Sequence, residues 1–84
     1  MATRIRLRRM GAKKVPFYRI VVANSRSPVK GKFIEILGWY DPRGKKVEVN
    51  KGKVLDWVSK GAQLSNSVKK LLLNFSIFSS KEIP

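Results

Sequence analysis

Thr3-Arg4-Ile5-Arg6-Leu7-Arg8-Arg9-Met10 and, six residues further on, Phe17-Tyr18-Arg19-Ile20-Val21-Val22-Ala23-Asn24 decide how this chain folds. In the first stretch Arg4, Arg6 and Arg8 alternate with Ile5 and Leu7. A period of two predicts a β-strand, with Ile5 and Leu7 inward and three arginines outward. The second stretch is rich in β-branched and aromatic residues and largely apolar on both faces, which suits a central strand buried on two sides. Gly11 and Pro16 punctuate the segment between them.

Working outward, Ser25 to Lys32 is polar, holds Pro28 and Gly31, and reads as an exposed loop. Phe33 to Tyr40 is expected to be a third strand, with Ile34 and Ile36 on one face and Glu35 on the other. Asp41-Pro42-Arg43-Gly44 is a turn by composition, and Lys46 to Val49 a short fourth strand completing a hairpin. The pattern then changes. Val54, Leu55, Trp57 and Val58 form an apolar helical face with Gly61 as a stop signal. Ser65 is a good N-cap for a second helix, whose Val68, Leu71, Leu72 and Phe75 follow the i, i+3, i+4, i+7 stripe. From Ser76 no period is visible. Residues 76–84 are therefore expected to be a loosely attached C-terminal tail on a single domain covering 1–75, removable with little effect on folding. Ile77, Phe78 and Ile83 are the apolar side chains there that could cover a neighbouring groove. Strands first and helices afterwards indicate an α+β fold: a small, mostly antiparallel or mixed sheet of about four to five strands, with one or two C-terminal helices packed alongside.

Charge is the strongest functional clue. The first 34 positions hold ten Lys or Arg and no carboxylate; the remaining fifty hold all five acids and nine basic residues, for a net charge of +14 overall. Cations so concentrated call for an outside counter-charge, and nucleic acid supplies one through its phosphates. The chain has no Cys and no His. That removes disulfides, thiolate ligands, the usual general base and the usual metal ligand. Glu35, Asp41, Glu48, Asp56 and Glu82 are scattered, and Ser25 and Ser27 have no histidine to activate them. No catalytic residue, metal site or cofactor is expected. Glu35 is assigned a structural salt bridge to a basic neighbour. No apolar run reaches the roughly 20 residues that span a bilayer. The Arg-rich start could be an organellar transit peptide, but its period of two is a strand pattern where such peptides form amphipathic helices. An intracellular protein is expected.

Two loops and one strand carry the candidate binding chemistry. Met10, Gly11, Ala12, Lys13 and Lys14 extend the strand of Arg4, Arg6, Arg8 and Arg9, and Gly11 and Ala12 have little bulk to obstruct a phosphate backbone. Ser25, Arg26, Ser27, Lys30 and Lys32 can donate to phosphate or to a 2′-hydroxyl. Tyr18 and Tyr40 are candidates to stack on bases, and Lys60 in the helical half is a further candidate cation. Most of the eight aromatics are assigned to the core, including Phe17, Phe33, Trp57 and Phe75.

The runs Arg8-Arg9-Met10-Gly11-Ala12-Lys13-Lys14 and Pro16-Phe17-Tyr18-Arg19-Ile20-Val21-Val22-Ala23 resemble the bacterial-type small-ribosomal-subunit protein sixteen family. So do Ser25-Arg26-Ser27-Pro28, Gly31-Lys32-Phe33-Ile34-Glu35, Gly38-Trp39-Tyr40-Asp41-Pro42 and Trp57-Val58-Ser59-Lys60-Gly61-Ala62-Gln63, followed by Ser65, Val68, Leu71 and Leu72. The match covers roughly residues 3 to 75, in spacing as well as residue type. It implies a ribosomal RNA-binding protein of the small subunit that helps that RNA fold during assembly, built on a small mixed sheet with helices alongside. The expected partners are small-subunit ribosomal RNA and neighbouring small-subunit ribosomal proteins, with no membrane. The free chain is expected to be a monomer, and the location a cytoplasmic or organellar ribosome. Val15, Val29 and Leu64 depart from the family pattern. Lys51-Gly52-Lys53 replaces an acidic first helical turn with cations that oppose the helix dipole. Apart from the resemblance, a DNA-architectural protein and a metal-dependent nuclease are the competing readings, and what co-purifies at moderate salt separates the three.

Overall fold

The computed structural model describes residues 2–11, 13–26, 32–79 and 81. Its strands are β1 (Thr3–Met10), β2 (Phe17–Asn24), β3 (Glu35–Asp41), β4 (Lys46–Val49) and β5 (Gln63–Leu64), and its helices are α1 (Lys51–Ser59) and α2 (Asn66–Asn74). The sheet order is β4-β3-β2-β1-β5. The first four strands pair antiparallel in sequence order, and β5 adds in parallel to β1. The fold is α+β with a mixed sheet of five strands.

β2 is the middle strand, and Ile20, Val21, Val22 and Ala23 are all buried. Its two faces are covered differently. Ile20 and Val22 point with Ile5 and Leu37 into a core closed by Val54, Ala62, Val68, Leu71, Leu72 and Phe78. Val21 and Ala23 belong to the opposite face, where their register neighbours are Arg4, Arg6 and Ile36. Long basic side chains cover apolar surface with their methylene stems while keeping the charge at water. Each fully buried aliphatic contributes about 1.5–3 kcal/mol relative to exposure.

β3 departs from the simple alternation. Ile20 pairs with Gly38 but Val21 pairs with Ile36, so Leu37 is an extra residue, a β-bulge. Ile34 and Ile36 do lie apart from Glu35, yet they are 55 % and 38 % exposed, and Leu37 alone turns into the core. The apolar pair thus marks the face without helices. Phe33, expected in the core, is 37 % exposed, and Phe17, Trp57 and Phe75 are half-buried. The helices cover only one side of the sheet, which leaves the remaining aromatics at its margins.

α1 begins at Lys51 despite its cationic first turn, because the Asn50 side chain accepts from the Lys53 backbone N–H at 3.1 Å. It ends in a Schellman motif. Gly61 has φ +99°, its N–H donates to the Val58 carbonyl, and the N–H of Ala62 donates to that of Trp57. That turn delivers Gln63 and Leu64 to the open edge of β1, a pairing too short to leave a periodic signal. α2 is capped by Ser65, which accepts from the Val68 N–H at 3.2 Å.

The segment from Phe75 to Phe78 is not loose. Ser76 takes the left-handed conformation (φ 56°) of a second Schellman motif, its N–H donating to the Leu73 carbonyl and that of Ile77 to Leu72. The turn sends Phe78 back into the core, where it is 2 % exposed, with Ile77 packed beside it. The expected loose tail from Ser76 is therefore corrected as far as Phe78: three residues are too few to show a period, but one aromatic ring is enough to dock them.

Glu35 lies on the helix side, where its Oε1 accepts from the Trp57 indole at 2.9 Å and its Oε2 from the Lys53 ammonium at 3.2 Å. The salt bridge expected for Glu35 is thus present. The indole hydrogen bond, then the one from Lys53, hold the carboxyl below its ordinary value of 4.5. A depressed folded-state pKa stabilises the fold above the unfolded value, and that contribution is lost as pH falls through the folded one. In thermal melts at pH 7 and at pH 3, Glu35→Gln is expected to melt below wild type at the higher pH and to close the gap at the lower. An equal gap at both would show that the contact does not carry this linkage.

Candidate nucleic-acid interface

The side chains of β1 part into two sets. Ile5 and Leu7 face the core, and Arg9 follows them at the end of that face, where its Nη2 donates to the Lys13 carbonyl at 3.0 Å. Arg4, Arg6 and Arg8 stand on the opposite, open face. The β1–β2 register places Arg19 directly across from Arg8 and Phe17 across from Met10 on that face. From β3, Trp39 pairs with Arg19. The rings of Phe17 and Trp39 stack with centroids 5.9 Å apart at 25°, and the Arg8 guanidinium lies over the Phe33 ring, 5.2 Å from its centroid. The open face is thus a strip of four arginines interleaved with aromatic rings.

The two candidate loops extend this strip in opposite directions. Gly11, Lys13 and Lys14 lie at the tip of the β1–β2 hairpin, and both lysines are exposed. Gly11 has φ +83°, and a Cβ there would stand 2.5 Å from the Val15 carbonyl, so the turn itself demands glycine. Ser25 and Arg26 lie at the far end, where the Ser25 N–H donates to the Ala2 carbonyl at 3.0 Å and the Arg26 N–H to the Asn24 side chain. Eight strand residues separate the two ends by about 23 Å. Lys32 is exposed on the approach to β3. Ala12, Ser27 and Lys30 lie outside the described residues.

Other candidates sit elsewhere. Tyr18 and Tyr40 are on the helix side, stacked with centroids 6.1 Å apart, and Tyr40 meets Phe75 edge-on at 5.8 Å. Lys60 pairs with Asp56 at 2.9 Å and lies over the Trp57 ring at the end of α1. Neither the tyrosines nor Lys60 belong to the open face. Sequence reasoning missed Arg19, hidden within an apolar strand, and it placed Phe17 and Phe33 in the core. The parity of β2 held the signal: Arg19 shares a face with Phe17, Val21 and Ala23, the face opposite Ile20.

Three carboxylates are engaged by cations, while Glu48 lies exposed on the open face, opposite Trp39. Lys53 holds Glu35, Lys60 holds Asp56, and Arg43 approaches Asp41 at 3.9 Å. Among the described residues no three carboxylates gather where a metal ion could be held. No helix among them is long and apolar enough to cross a membrane.

The model of the family described as ribosomal protein S16 matches residues 9–65. The chain is 58 % identical over 79 residues to the small ribosomal subunit protein bS16 of Desulforamulus reducens, covering 92 % of this chain and 89 % of that protein. It is 57 % identical over 76 residues to the same-named protein of Clostridium beijerinckii (88 % and 94 %). The figure for that of Clostridioides difficile is 51 % over 84 residues (98 % and 93 %). With the end of β1, strands β2 to β5 and the first helix inside the matched span, this chain belongs to the ribosomal protein S16 family.

Proposed function

We propose that this protein is a constituent of the small ribosomal subunit that binds its ribosomal RNA through β1, the open sheet face and the two flanking loops, and that it supports assembly of the subunit. The family is one of structural ribosomal proteins, not enzymes. The observation that carries the RNA reading is the strip of Arg4, Arg6, Arg8 and Arg19 on a face without helices, while Glu35, Asp41 and Asp56 are engaged by other cations, Lys53, Arg43 and Lys60. Binding of this kind follows backbone shape more than base identity. Each end of the strip reaches a different stretch of RNA backbone, so the protein holds two parts of a folded RNA at a fixed separation. Neighbouring small-subunit proteins complete its surroundings.

Affinity for a transcript of small-subunit ribosomal RNA is expected to fall steeply with salt. If about seven cations meet phosphates, log K falls against log salt with a slope of about −5 to −6. Replacing Lys13 and Lys14 by Ala should make that slope shallower by about one unit per lost contact, with the circular dichroism spectrum unchanged. A wild-type slope near −1, or equal affinity for an unrelated RNA of the same length, would overturn the reading.

A further inference from the structure

We propose that the tips of the β1–β2 and β3–β4 hairpins form one rim, in which Lys13, Lys14, Lys45 and Lys46 hold phosphates of a single RNA segment. The inference rests on the RNA-binding reading above and adds to it a hairpin that reads by composition only as a turn. Topology brings the two tips together. β1 and β3 run in one direction and β2 and β4 in the other, so both turns leave the sheet at the same end. The register sets them level, with Met10 opposite Phe17, Tyr18 opposite Tyr40 and Asp41 opposite Lys46. Two strand spacings, about 10 Å, separate the hairpins where they leave the sheet. Lys13, Lys14, Lys45 and Lys46 are all exposed, and none of them makes an ion pair among the described residues.

The β3–β4 turn is built in a way that a merely solvated loop does not require. Lys45 has φ 51°, the left-handed conformation that glycine adopts without a steric penalty. Gly44 stands one residue earlier and does not take it. The chain thus places a cation where its backbone suits one least, and strain of this kind persists where a side chain is in use. The acid of the turn does not neutralise the lysines. Asp41 Oδ1 accepts from the Arg43 backbone N–H at 3.0 Å and faces the Arg43 guanidinium at 3.9 Å, so both residues serve the turn itself. Glu48 lies opposite Trp39, about 7 Å along β4 from Lys46. On the other tip, Arg9 Nη2 donates to the Lys13 carbonyl at 3.0 Å and braces the turn that carries Lys13 and Lys14. Ammonium groups on flexible stems are point charges, which suit backbone phosphates rather than base edges. At roughly 3.4 Å of axis per nucleotide, a rim of about 10 Å spans about three phosphates of one strand. It adjoins the end of β1, so an RNA chain held there continues onto the arginine strip.

The test compares full-length variants for binding to the small-subunit ribosomal RNA transcript, by salt titration and by hydroxyl-radical footprinting. Lys45→Gly combined with Lys46→Gln removes two cations and relieves the left-handed position, so this protein is expected to melt no lower than wild type. Its salt slope should be shallower by about two units, and its affinity at about 0.1 M salt lower by at least about tenfold. The nucleotides that lose protection should lie within about three positions of those lost when Lys13 and Lys14 are replaced by Ala. Lys46→Gln alone, at an exposed strand end, should lose about one unit of slope and leaves the turn untouched. Lys69→Gln with Lys70→Gln removes the same charge from α2 and should leave slope and footprint as in wild type. An unchanged slope in both Lys46 variants would overturn the rim while leaving the RNA reading intact. An equal loss in the α2 variant would also overturn it, as an effect of net charge alone. Protection lost at well-separated nucleotides would do the same, because the tips would then hold different segments. A wild-type protein without a steep salt slope on the transcript would remove the RNA reading and the rim together.

Discussion

Replacing Phe78 by alanine is expected to lower the free energy of unfolding by about 3–5 kcal/mol, the usual cost of emptying a buried aromatic site. The ring is 2 % exposed and belongs to the same cluster as Ile5, Ile20, Val54, Val68 and Leu72. Its ring also meets the Lys51 ammonium, 5.1 Å from the centroid, so it ties the start of α1 to the segment after α2. A domain of this length has a net stability of about 4–13 kcal/mol at roughly 0.05–0.15 kcal/mol per residue. The loss therefore takes a large share of it, and a melting temperature lower by at least about 12 °C is expected. Removing everything after Phe75 should cost at least as much, which reverses the expectation drawn from the aperiodic tail. Urea unfolding of wild type, Phe78→Ala and Phe78→Leu checks this, with the leucine variant between the other two. A change below about 1 kcal/mol for Phe78→Ala would mean that the ring does not close the core.

What the chain revealed in advance was whatever repeats with a period or obeys a local stop signal. β1, β2 and β4 stand where alternation and punctuation put them, because each is long enough or bounded sharply enough to show it. Gly61 ends α1 and Ser65 starts α2 as expected, since a left-handed cap favours glycine and an N-cap favours a hydroxyl. Features set by single residues were not legible. Nothing local distinguishes Leu37 as a bulge, yet that residue decides which side of β3 is buried. Ser76 occupies a left-handed position that glycine would have announced, so the return of Phe78 to the core passed as tail. β5 is two residues long and owes its existence to the exposed edge of β1 and the turn after α1.

The candidate interface divides in the same manner. The charge excess before Glu35 and the outward set of Arg4, Arg6 and Arg8 were plain from alternation alone. Arg19 was not, because its strand reads as apolar on both faces and only pairing with β1 and β3 reveals its company. Tyr18 and Tyr40 were chosen by residue type; the register sends them to the helix side, while Phe17 and Trp39 take the open one. A hydrophobic pattern tells which residues avoid water. It does not tell which of two apolar faces the helices will cover.

Gly38→Ala is expected to destabilise the protein by at least about 3 kcal/mol, at the upper end of the cost of forcing extra volume into a packed site. Gly38 lies in β3 opposite Val49 of β4, and a Cβ built on it collides with the Glu48 carbonyl oxygen and stands 2.7 Å from the Val49 Cα. Both obstacles are backbone, so no rotamer change relieves them. The β4 strand would have to move off β3, and with it the Asn50 N–H that donates to the Leu37 carbonyl at 2.8 Å. Asn50 is the N-cap of α1, so a strain that begins between two strands reaches the helix that holds Val54 in the core and presents Lys53 and Trp57 to Glu35. Gly52→Ala supplies the contrast. Gly52 sits in the first turn of α1, a Cβ there meets only the Asn50 Oδ1 at an ordinary 3.5 Å, and the substitution should stabilise by about 0.4–1 kcal/mol. The two variants add the same methyl group seven residues before and seven residues after Lys45, the last residue of the β3–β4 turn. Opposite signs in urea unfolding would locate the constraint in the close approach of β4. A Gly38→Ala protein within about 1 kcal/mol of wild type would show that β4 gives way freely and does not fix α1.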